Sequence, residues 1–188
     1  QGTRMQSAGP KVMHLLCGRP LLWHVLGAAK VLTKKQVLVI GRGAAQIRGY
    51  FGAGYSYVEQ AQRLGTGHAL QQVLPQLPAR GNVLVLCGDT PLLNSEMLGA
   101  LLAGHRRQGA AATVLTASLS NPHGYGRVIR DERGQVREIV EDRHLCGGQE
   151  RINEINTGCY CFDAQALHEL LPRLPQNEVT GEYYLTDL

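Results

Sequence analysis

Five consecutive apolar residues, Val83-Leu84-Val85-Leu86-Cys87, run straight into Gly88-Asp89-Thr90-Pro91. A run this short and this uniformly apolar reads as a strand buried on both faces, the habit of parallel sheets with helices on each side. It ends on a glycine and then a carboxylate. The carboxyl ends of strands are where open α/β sheets bind ligands, and Gly88 lets a ligand approach the backbone closely. Pro91 biases Thr90 toward an extended conformation, which gives the exit from the strand a defined direction. A lone hard carboxylate, without His or Cys beside it, suits Mg²⁺ shared with substrate phosphates. The plainer alternative is that Asp89 only starts a turn ahead of a helix near Asn94.

The segments around this run alternate. Pro20 to Val31 has Leu21, Leu22, Val25, Leu26 and Ala29 at helical spacing, with proline at its start. Gln36–Ile40 reads as a strand, Gly41 to about Phe51 as a loop and helix, and Tyr55–Glu59 as a strand. Thr66–Leu77 reads as a helix with Leu70, Val73 and Leu74 inward. The strand at 82–87 follows, then a helix from Asn94, a fitting N-cap, to about Arg107. This β-α-β-α order implies a parallel, doubly wound sheet with right-handed crossovers. The pattern then changes. Ala111–Leu119 is a strand, and Arg127–Arg130 and Gln135–Val140 flank the hairpin signature Asp131-Glu132-Arg133-Gly134. Arg151–Phe162 is a long strand-like stretch, followed by a helix over Ala164–Leu171. We therefore expect a parallel first half and a mixed second half, with a nucleotide on the first (about 1–110) and an acceptor on the second (about 111–188).

Composition narrows the function classes. The chain has 188 residues, 44% of them hydrophobic and 18% charged, with a net charge of +4. That is a globular composition, and without a Lys/Arg run it argues against a nucleic-acid surface. Five cysteines, an odd number irregularly spaced, make no disulfide framework and fit a reducing cytoplasm. No stretch reaches membrane-spanning length, so no stable membrane insertion is expected. The start, Gln1-Gly2-Thr3-Arg4-Met5, is polar with no strand before it, and the chain stops inside an apolar segment. Both suggest a fragment that lacks its first strand, poorly stable and inactive by itself.

Two glycine-bearing segments compete for a nucleotide. Gly41-Arg42-Gly43-Ala44-Ala45-Gln46 follows a strand and opens a helix, with Glu59 near the end of the next strand, as in a dinucleotide fingerprint. Gln replaces the third glycine, however, and a tight βα turn explains the segment as well. Gln60-Ala61-Gln62-Arg63-Leu64-Gly65-Thr66-Gly67-His68-Ala69 lies between a strand and a helix. Its backbone N–H groups and the Thr66 hydroxyl can face a ligand, and the Gln60 amide can read a base edge. A helix cap accounts for Thr66 but not for the second glycine. Arg4 and Lys11 bracket the first helix start, where positive charge opposes the helix dipole unless an anion is near. Glu141 and Asn156 are candidates for hydroxyl binding. Cys159 and Cys161 share one strand face and read as core. Walker A, G-x-S-x-G and H-E-x-x-H motifs are absent.

Taken in order, Gly2-Thr3-Arg4-Met5, Pro10-Lys11, Gln60 to Ala69, Gly88-Asp89-Thr90-Pro91, Gly124-Tyr125-Gly126-Arg127, Glu141, Glu154 to Gly158 and Gly181-Glu182-Tyr183-Tyr184 resemble the sugar-nucleotide pyrophosphorylases. The likeness covers nearly the whole chain. It is strongest to the N-terminal uridylyltransferase domains of bifunctional N-acetylglucosamine-1-phosphate uridylyltransferase/glucosamine-1-phosphate acetyltransferases. The resemblance implies a Rossmann-like nucleotidyltransferase fold, with a mixed, mostly parallel sheet and helices on both faces. It implies UTP and N-acetylglucosamine 1-phosphate as substrates, Mg²⁺ as cofactor, and UDP-N-acetylglucosamine for envelope polysaccharides as product. It also implies a homo-oligomer, a trimer through a following C-terminal domain. By the same resemblance Arg4 and Lys11 contact phosphates and act with Asp89, the Mg²⁺ ligand. Gln60 reads uracil, Gly65 and Thr66 hold the nucleoside, and Cys87 and Gly88 line the nucleotide. Gly126, Glu141 and Asn156 hold the amino sugar.

The chain departs from that family in four places. Only part of the family's Leu-Ala-Ala-Gly-x-Gly-Thr-Arg-Met loop is present, from x at Gln1 onward. The second Mg²⁺ ligand, an asparagine, and the β-helix acetyltransferase domain would both lie beyond Leu188. Cys87 stands where some members have tyrosine. Competing expectations are another sugar-1-phosphate nucleotidyltransferase, an NAD-dependent oxidoreductase using Gly41 to Gln46, and a non-catalytic nucleotide-sugar binding module.

Overall fold

The computed structural model describes residues 9–188; Arg4 lies outside them. Lys11–Met13 forms one 3₁₀ turn. A minimal antiparallel ribbon, β1 (Leu15–Leu16) with β2 (Arg19–Pro20), follows, turning through Cys17 and Gly18 at positive φ. Helix α1 (Leu21–Lys30) buries Leu22, Val25, Leu26 and Ala29, four of the five inward positions expected. Strand β3 (Val37–Ile40), helix α2 (Ala44–Phe51) and strand β4 (Ser56–Glu59) form one unit in which β3 and β4 pair in parallel. Helix α3 (Gly65–Val73) buries Leu70 and Val73. It gives way to a 3₁₀ turn at Leu74–Gln76 because Pro75 cannot donate to the α-helical ladder.

Strand β5 (Asn82–Val85) precedes α4 (Ser95–Gln108), which is capped by Asn94 Oδ1 accepting from Met97 N and closed by Gly109 at φ 57°. Then come β6 (Ala112–Ser118), β7 (Arg127–Arg130), β8 (Val136–Val140), β9 (Glu154–Asp163) and α5 (Ala164–Leu170). In the β7–β8 hairpin, Asp131 Oδ1 accepts from Arg133 N and Gln135 N. The long β9 is the spine of a five-stranded sheet, pairing antiparallel with β5, β6 and β7. Its register against β6 jumps between Leu115 and Thr116, where Thr157 and Gly158 form a bulge that re-aims the strand.

The α/β architecture with a mixed set of strands is the one expected. Two particulars differ from the sequence reading. Among the described residues β3–β4 is the parallel ladder, and β5 pairs only with β9, antiparallel. The run Val83–Cys87 is also not buried on both faces. Val83 is buried, but Leu84, Val85, Leu86 and Cys87 are only partly covered. The reason is a gap in the sheet: a cavity of about 690 Å³ lies between β3 and β5. Two apolar clusters flank it. Leu22, Leu26, Leu38, Ile40 and Ile47 pack on one side; Val83, Tyr160, Phe162, Leu167 and Leu171 pack on the other, with Leu70 of α3. Cys159 and Cys161 are fully buried, as their spacing predicted.

Candidate active site

Several of the residues singled out by sequence lie just past the carboxyl ends of β4 (Gln60) and β5 (Cys87, Gly88, Asp89) and in the amino-terminal part of β9 (Asn156). Lys11 Nζ sits 2.6 Å from Asp89 Oδ2, with both side chains partly exposed. Asp89 lies in a turn ahead of α4 but does not cap it, since Asn94 does; among the described residues the partner of its carboxylate is Lys11. The turn itself is closed by Thr90 Oγ1 donating to Cys87 O at 2.7 Å. Gly88 is glycine for a reason different from the one expected. A Cβ there would lie 3.1 Å from Leu22 Cδ1 and 3.2 Å from Val12 Cγ1, so the space it frees is taken by the protein's own side chains.

Cys87 Sγ faces the β9 bulge and donates to Gly158 O at 3.5 Å. Burial, helped by the negative Asp89, pushes this thiol up to about 12, so it stays protonated at neutral pH. Gly158 has φ 76°, and a Cβ there would lie 2.7 Å from Cys87 Sγ. Asn156 N donates to Gly126 O, Asn156 Nδ2 donates to Tyr160 Oη at 2.6 Å, and Gly158 N donates to Asn156 Oδ1 at 2.9 Å. The Asn156 amide is thus held from both ends by β9 itself. Glu141 Oε1 accepts from Thr186 Oγ1 at 3.2 Å.

The Gln60–Ala69 segment is built differently from the expectation. Thr66 Oγ1 accepts from Leu185 N, Gly67 N donates to Tyr183 O, and Tyr183 N donates to Leu64 O. The C-terminal stretch therefore takes the Gly67 N–H and the hydroxyl lone pair that a ligand was expected to meet. The second glycine also has a purpose. A Cβ at Gly67 would collide with Leu174 and one at Gly65 (φ 95°) would come within 2.5 Å of Tyr183 O. Gln60 Nε2 donates to Gly65 O at 3.0 Å and lies 2.9 Å from His68 Nδ1. Both partners lie on the amide nitrogen, and among the described residues the side-chain carbonyl has no partner.

One end of the 690 Å³ cavity is lined by Thr66, Cys87, Gly88, Glu141 and Asn156. Lys11, Gln60, Gly65, Asp89 and Gly126 stand outside that lining. Gly43, in the rival Gly41–Gln46 segment, has φ 84°, and a Cβ there would collide with Pro10. The close approach that a dinucleotide would use is filled by proline. Sequence reading missed Arg127, which is 3% exposed. Its guanidinium donates to Tyr125 O and pairs with Asp142 at 3.3 Å, while its Nε has no partner among the described residues. It holds the Gly124-Tyr125-Gly126 turn against the end of β8. An arginine directly after the Gly124-Tyr125-Gly126 segment was the available signal. Among the described residues no group of three His, Cys, Asp or Glu could by itself cage a metal.

Solved structures share this fold. A Bacillus anthracis protein described as a glucose-1-phosphate thymidylyltransferase superimposes with a TM-score of 0.81 at 18% identity, covering 98% of this chain and 74% of that one. A UDP-glucose pyrophosphorylase complexed with UDP-glucose gives 0.72 at 19% identity, covering 95% and 76%. In sequence, the chain is 48% identical over 190 residues to the bifunctional protein GlmU of Pelotomaculum thermopropionicum, covering all of this chain and 42% of that protein. It is 44% identical over 187 residues to that of Alkaliphilus metalliredigens, covering 99% of this chain and 41% of that protein. The chain thus spans about two fifths of the curated relatives it matches. Residues 1–152 match the family described as MobA-like NTP transferase domain, and the chain belongs to that family.

Proposed function

We propose that this chain carries the catalytic site of a uridylyltransferase that joins UTP to N-acetylglucosamine 1-phosphate, releasing pyrophosphate. The observations that carry the reading are the pairing of Lys11 with Asp89 at 2.6 Å and the oriented Gln60 amide, in a chain whose matched relatives are named GlmU. The nucleotide takes the half before about residue 110 and the sugar phosphate the half after it. A phosphate oxygen of the sugar phosphate attacks the α-phosphorus in line, and the bond to the leaving pyrophosphate breaks. Such a transfer needs positioning and charge stabilisation rather than a protein nucleophile.

Each residue has a role in this reading. Lys11 takes phosphate charge, with Arg4 expected to add to it. Gln60 offers its free carbonyl to the N3–H of uracil, while Gly65 and Thr66 support the nucleoside and Cys87 and Gly88 border it. Gly126, Glu141 and Asn156 border the amino sugar. Asp89 is a single hard carboxylate, which fits a divalent cation, Mg²⁺, that draws its other ligands from phosphates and water. Bound there, the cation would screen the phosphate charge. With such a cation, Asp89 would hold the metal and Lys11 would face phosphate, so each would have a partner of opposite charge.

The test is pyrophosphate release by the whole gene product, across several nucleoside triphosphates and sugar 1-phosphates. The highest kcat/KM is expected for UTP with N-acetylglucosamine 1-phosphate. Uridine-nucleotide binding without release from any pair would replace the reading with a binding module. Release fastest with another pair would keep the class and change the substrate.

A further inference from the structure

The first turn of α3 carries a histidine to which the uridylyltransferase reading gives no role. His68 is partly buried, and its ring stacks on that of Tyr183, 6.1 Å between centroids at an angle of 29°. Its two ring nitrogens meet two glutamine side chains. Nδ1 lies 2.9 Å from Gln60 Nε2, and Nε2 lies 3.2 Å from Gln72 Nε2, one helical turn on. A neutral imidazole has one donor and one acceptor nitrogen, and an imidazolium has two donors. The position of the ring proton is therefore decided by whichever glutamine has its orientation fixed by something else.

That glutamine is Gln60. Its backbone is anchored at the end of β3, where Gln60 N donates to Ile40 O at 2.8 Å. Its side-chain nitrogen lies 3.0 Å from Gly65 O, and a carbonyl oxygen can only accept. The group facing Gly65 O is thus the NH₂, and its second hydrogen meets His68 Nδ1, which must accept. The ring proton then sits on Nε2 and needs an acceptor from Gln72. The Gln72 side chain is exposed, and a half-turn of its amide presents the oxygen. With Gly65 O and Nδ1 taking both N–H groups, what Gln60 has left to offer is its oxygen.

We propose that His68 is a positioning residue that sets base specificity: by accepting at Nδ1, its Nε2–H tautomer locks the Gln60 amide with the oxygen outward. The proposal rests on the uridylyltransferase reading, and within it on Gln60 facing the base. An outward oxygen is matched to a donor. Uracil carries an N–H at position 3, whereas cytosine carries a bare nitrogen there, so that two lone pairs would oppose each other. A turned-over Gln60 amide would suit cytosine, but it would set its oxygen against both Gly65 O and Nδ1, and that opposition keeps it out. The lock is indifferent to the carbon at position 5, because 5-methyluracil keeps the same N–H.

The experiment measures kcat/KM of the whole gene product for UTP, CTP and 5-methyluridine triphosphate, in wild type, His68→Phe, His68→Asn and Gln60→Ala. Phenylalanine keeps a ring beside Tyr183 and removes the acceptor; asparagine loses the ring and keeps a side-chain oxygen near the Nδ1 position. His68→Phe should narrow the UTP/CTP ratio about two- to tenfold, the range that one lost hydrogen bond supplies, and leave the ratio of UTP to its 5-methyl analogue unchanged. His68→Asn should hold the UTP/CTP ratio near wild type. Equal loss with all three nucleotides in His68→Phe, the mark of a merely structural histidine, overturns the proposal, as does narrowing by asparagine as great as by phenylalanine. If Gln60→Ala narrows the UTP/CTP ratio and His68→Phe does not, base reading by Gln60 stands and the proposal alone falls; if Gln60→Ala leaves the ratio unchanged, both fall. A readout free of turnover is the ¹⁵N spectrum of the His68 imidazole at pH 8, assigned by its loss in His68→Phe. The Nε2–H tautomer is expected, and the Nδ1–H tautomer overturns the proposal.

Discussion

Gly158 lies against Cys87 at the junction of the two halves, and replacing it with alanine should be costly in a separable way. At φ 76° a side chain pays about 1–2 kcal/mol for the left-handed conformation. The new Cβ would also lie 2.7 Å from Cys87 Sγ, an overlap of the kind that costs about 1–3 kcal/mol in a packed interior. Gly158→Ala should therefore destabilise by about 2–5 kcal/mol. Cys87→Ala alone removes a partly buried thiol and should cost about 1 kcal/mol. In the double variant the backbone strain stays but the overlap is gone, because the new methyl enters the space left by Sγ. The two changes should then be non-additive by about 1–3 kcal/mol, the double being the more stable relative to their sum. Urea unfolding of the four proteins, with m compared across them, measures the cycle. Additivity to within about 0.5 kcal/mol would show that Sγ does not confine the β9 bulge, and the reasoning would fail.

Other expectations follow from the same contacts. Asp89→Asn should leave Tm nearly unchanged and lower pyrophosphate release by about two orders of magnitude or more, as when transition-state charge loses its counter-charge; near-normal turnover at low Mg²⁺ would remove Asp89 from that role. Gln60→Ala should cost about 1–3 kcal/mol in kcat/KM for UTP and narrow UTP/CTP discrimination, measured with both nucleotides; an unchanged ratio would take Gln60 out of base reading. Arg130 grips Glu154 at 2.7 and 2.6 Å and holds that carboxyl below its usual range. Because the folded-state pKa is the lower one, this stability is present above the unfolded carboxylate value and is lost as pH falls through the folded one. Glu154→Gln should therefore flatten part of the acid limb of Tm against pH, by under about 1 kcal/mol for so exposed a pair; an identical limb would refute it. Alkylation at pH 8 followed by peptide mapping should label the exposed Cys17 and Cys146 first, with Cys87, Cys159 and Cys161, whose thiols burial pushes up, reacting only on unfolding.

Local chemistry made much of this fold legible. Helix α1 follows its apolar spacing, Asn94 caps α4, and Asp131 organises the β7–β8 hairpin. What stayed hidden depends on partners far away in the chain. Gly65 and Gly67 looked like a ligand loop because nothing nearby explains two glycines, and the explanation, Tyr183 and Leu174, lies more than a hundred residues on. Gly88 misled in the same way, its free space being filled by Val12 and Leu22. The apolar run at Val83–Cys87 signalled a strand, which the structure has at Asn82–Val85. Periodicity carries no information on which neighbour is paired, so the antiparallel pairing of β5 with β9 could not be read from it. Arg127 was passed over because its significance is burial, which a sequence does not display.

The hydrogen bond from Leu185 N to Thr66 Oγ1 joins residues 119 positions apart, and this has a consequence in time. A ribosome adds about 5–20 residues each second, so roughly 6–24 s separate the synthesis of Thr66 from that of Leu185. During that interval the Gly65–Gly67 turn has no clasp, and Gly67 keeps a backbone donor that only Tyr183 will take. A nascent chain stalled between His68 and Tyr183 would hold every residue of the Gly65–Gly67 turn yet lack its clasp. Competence to bind nucleotide should therefore arrive late and abruptly during translation.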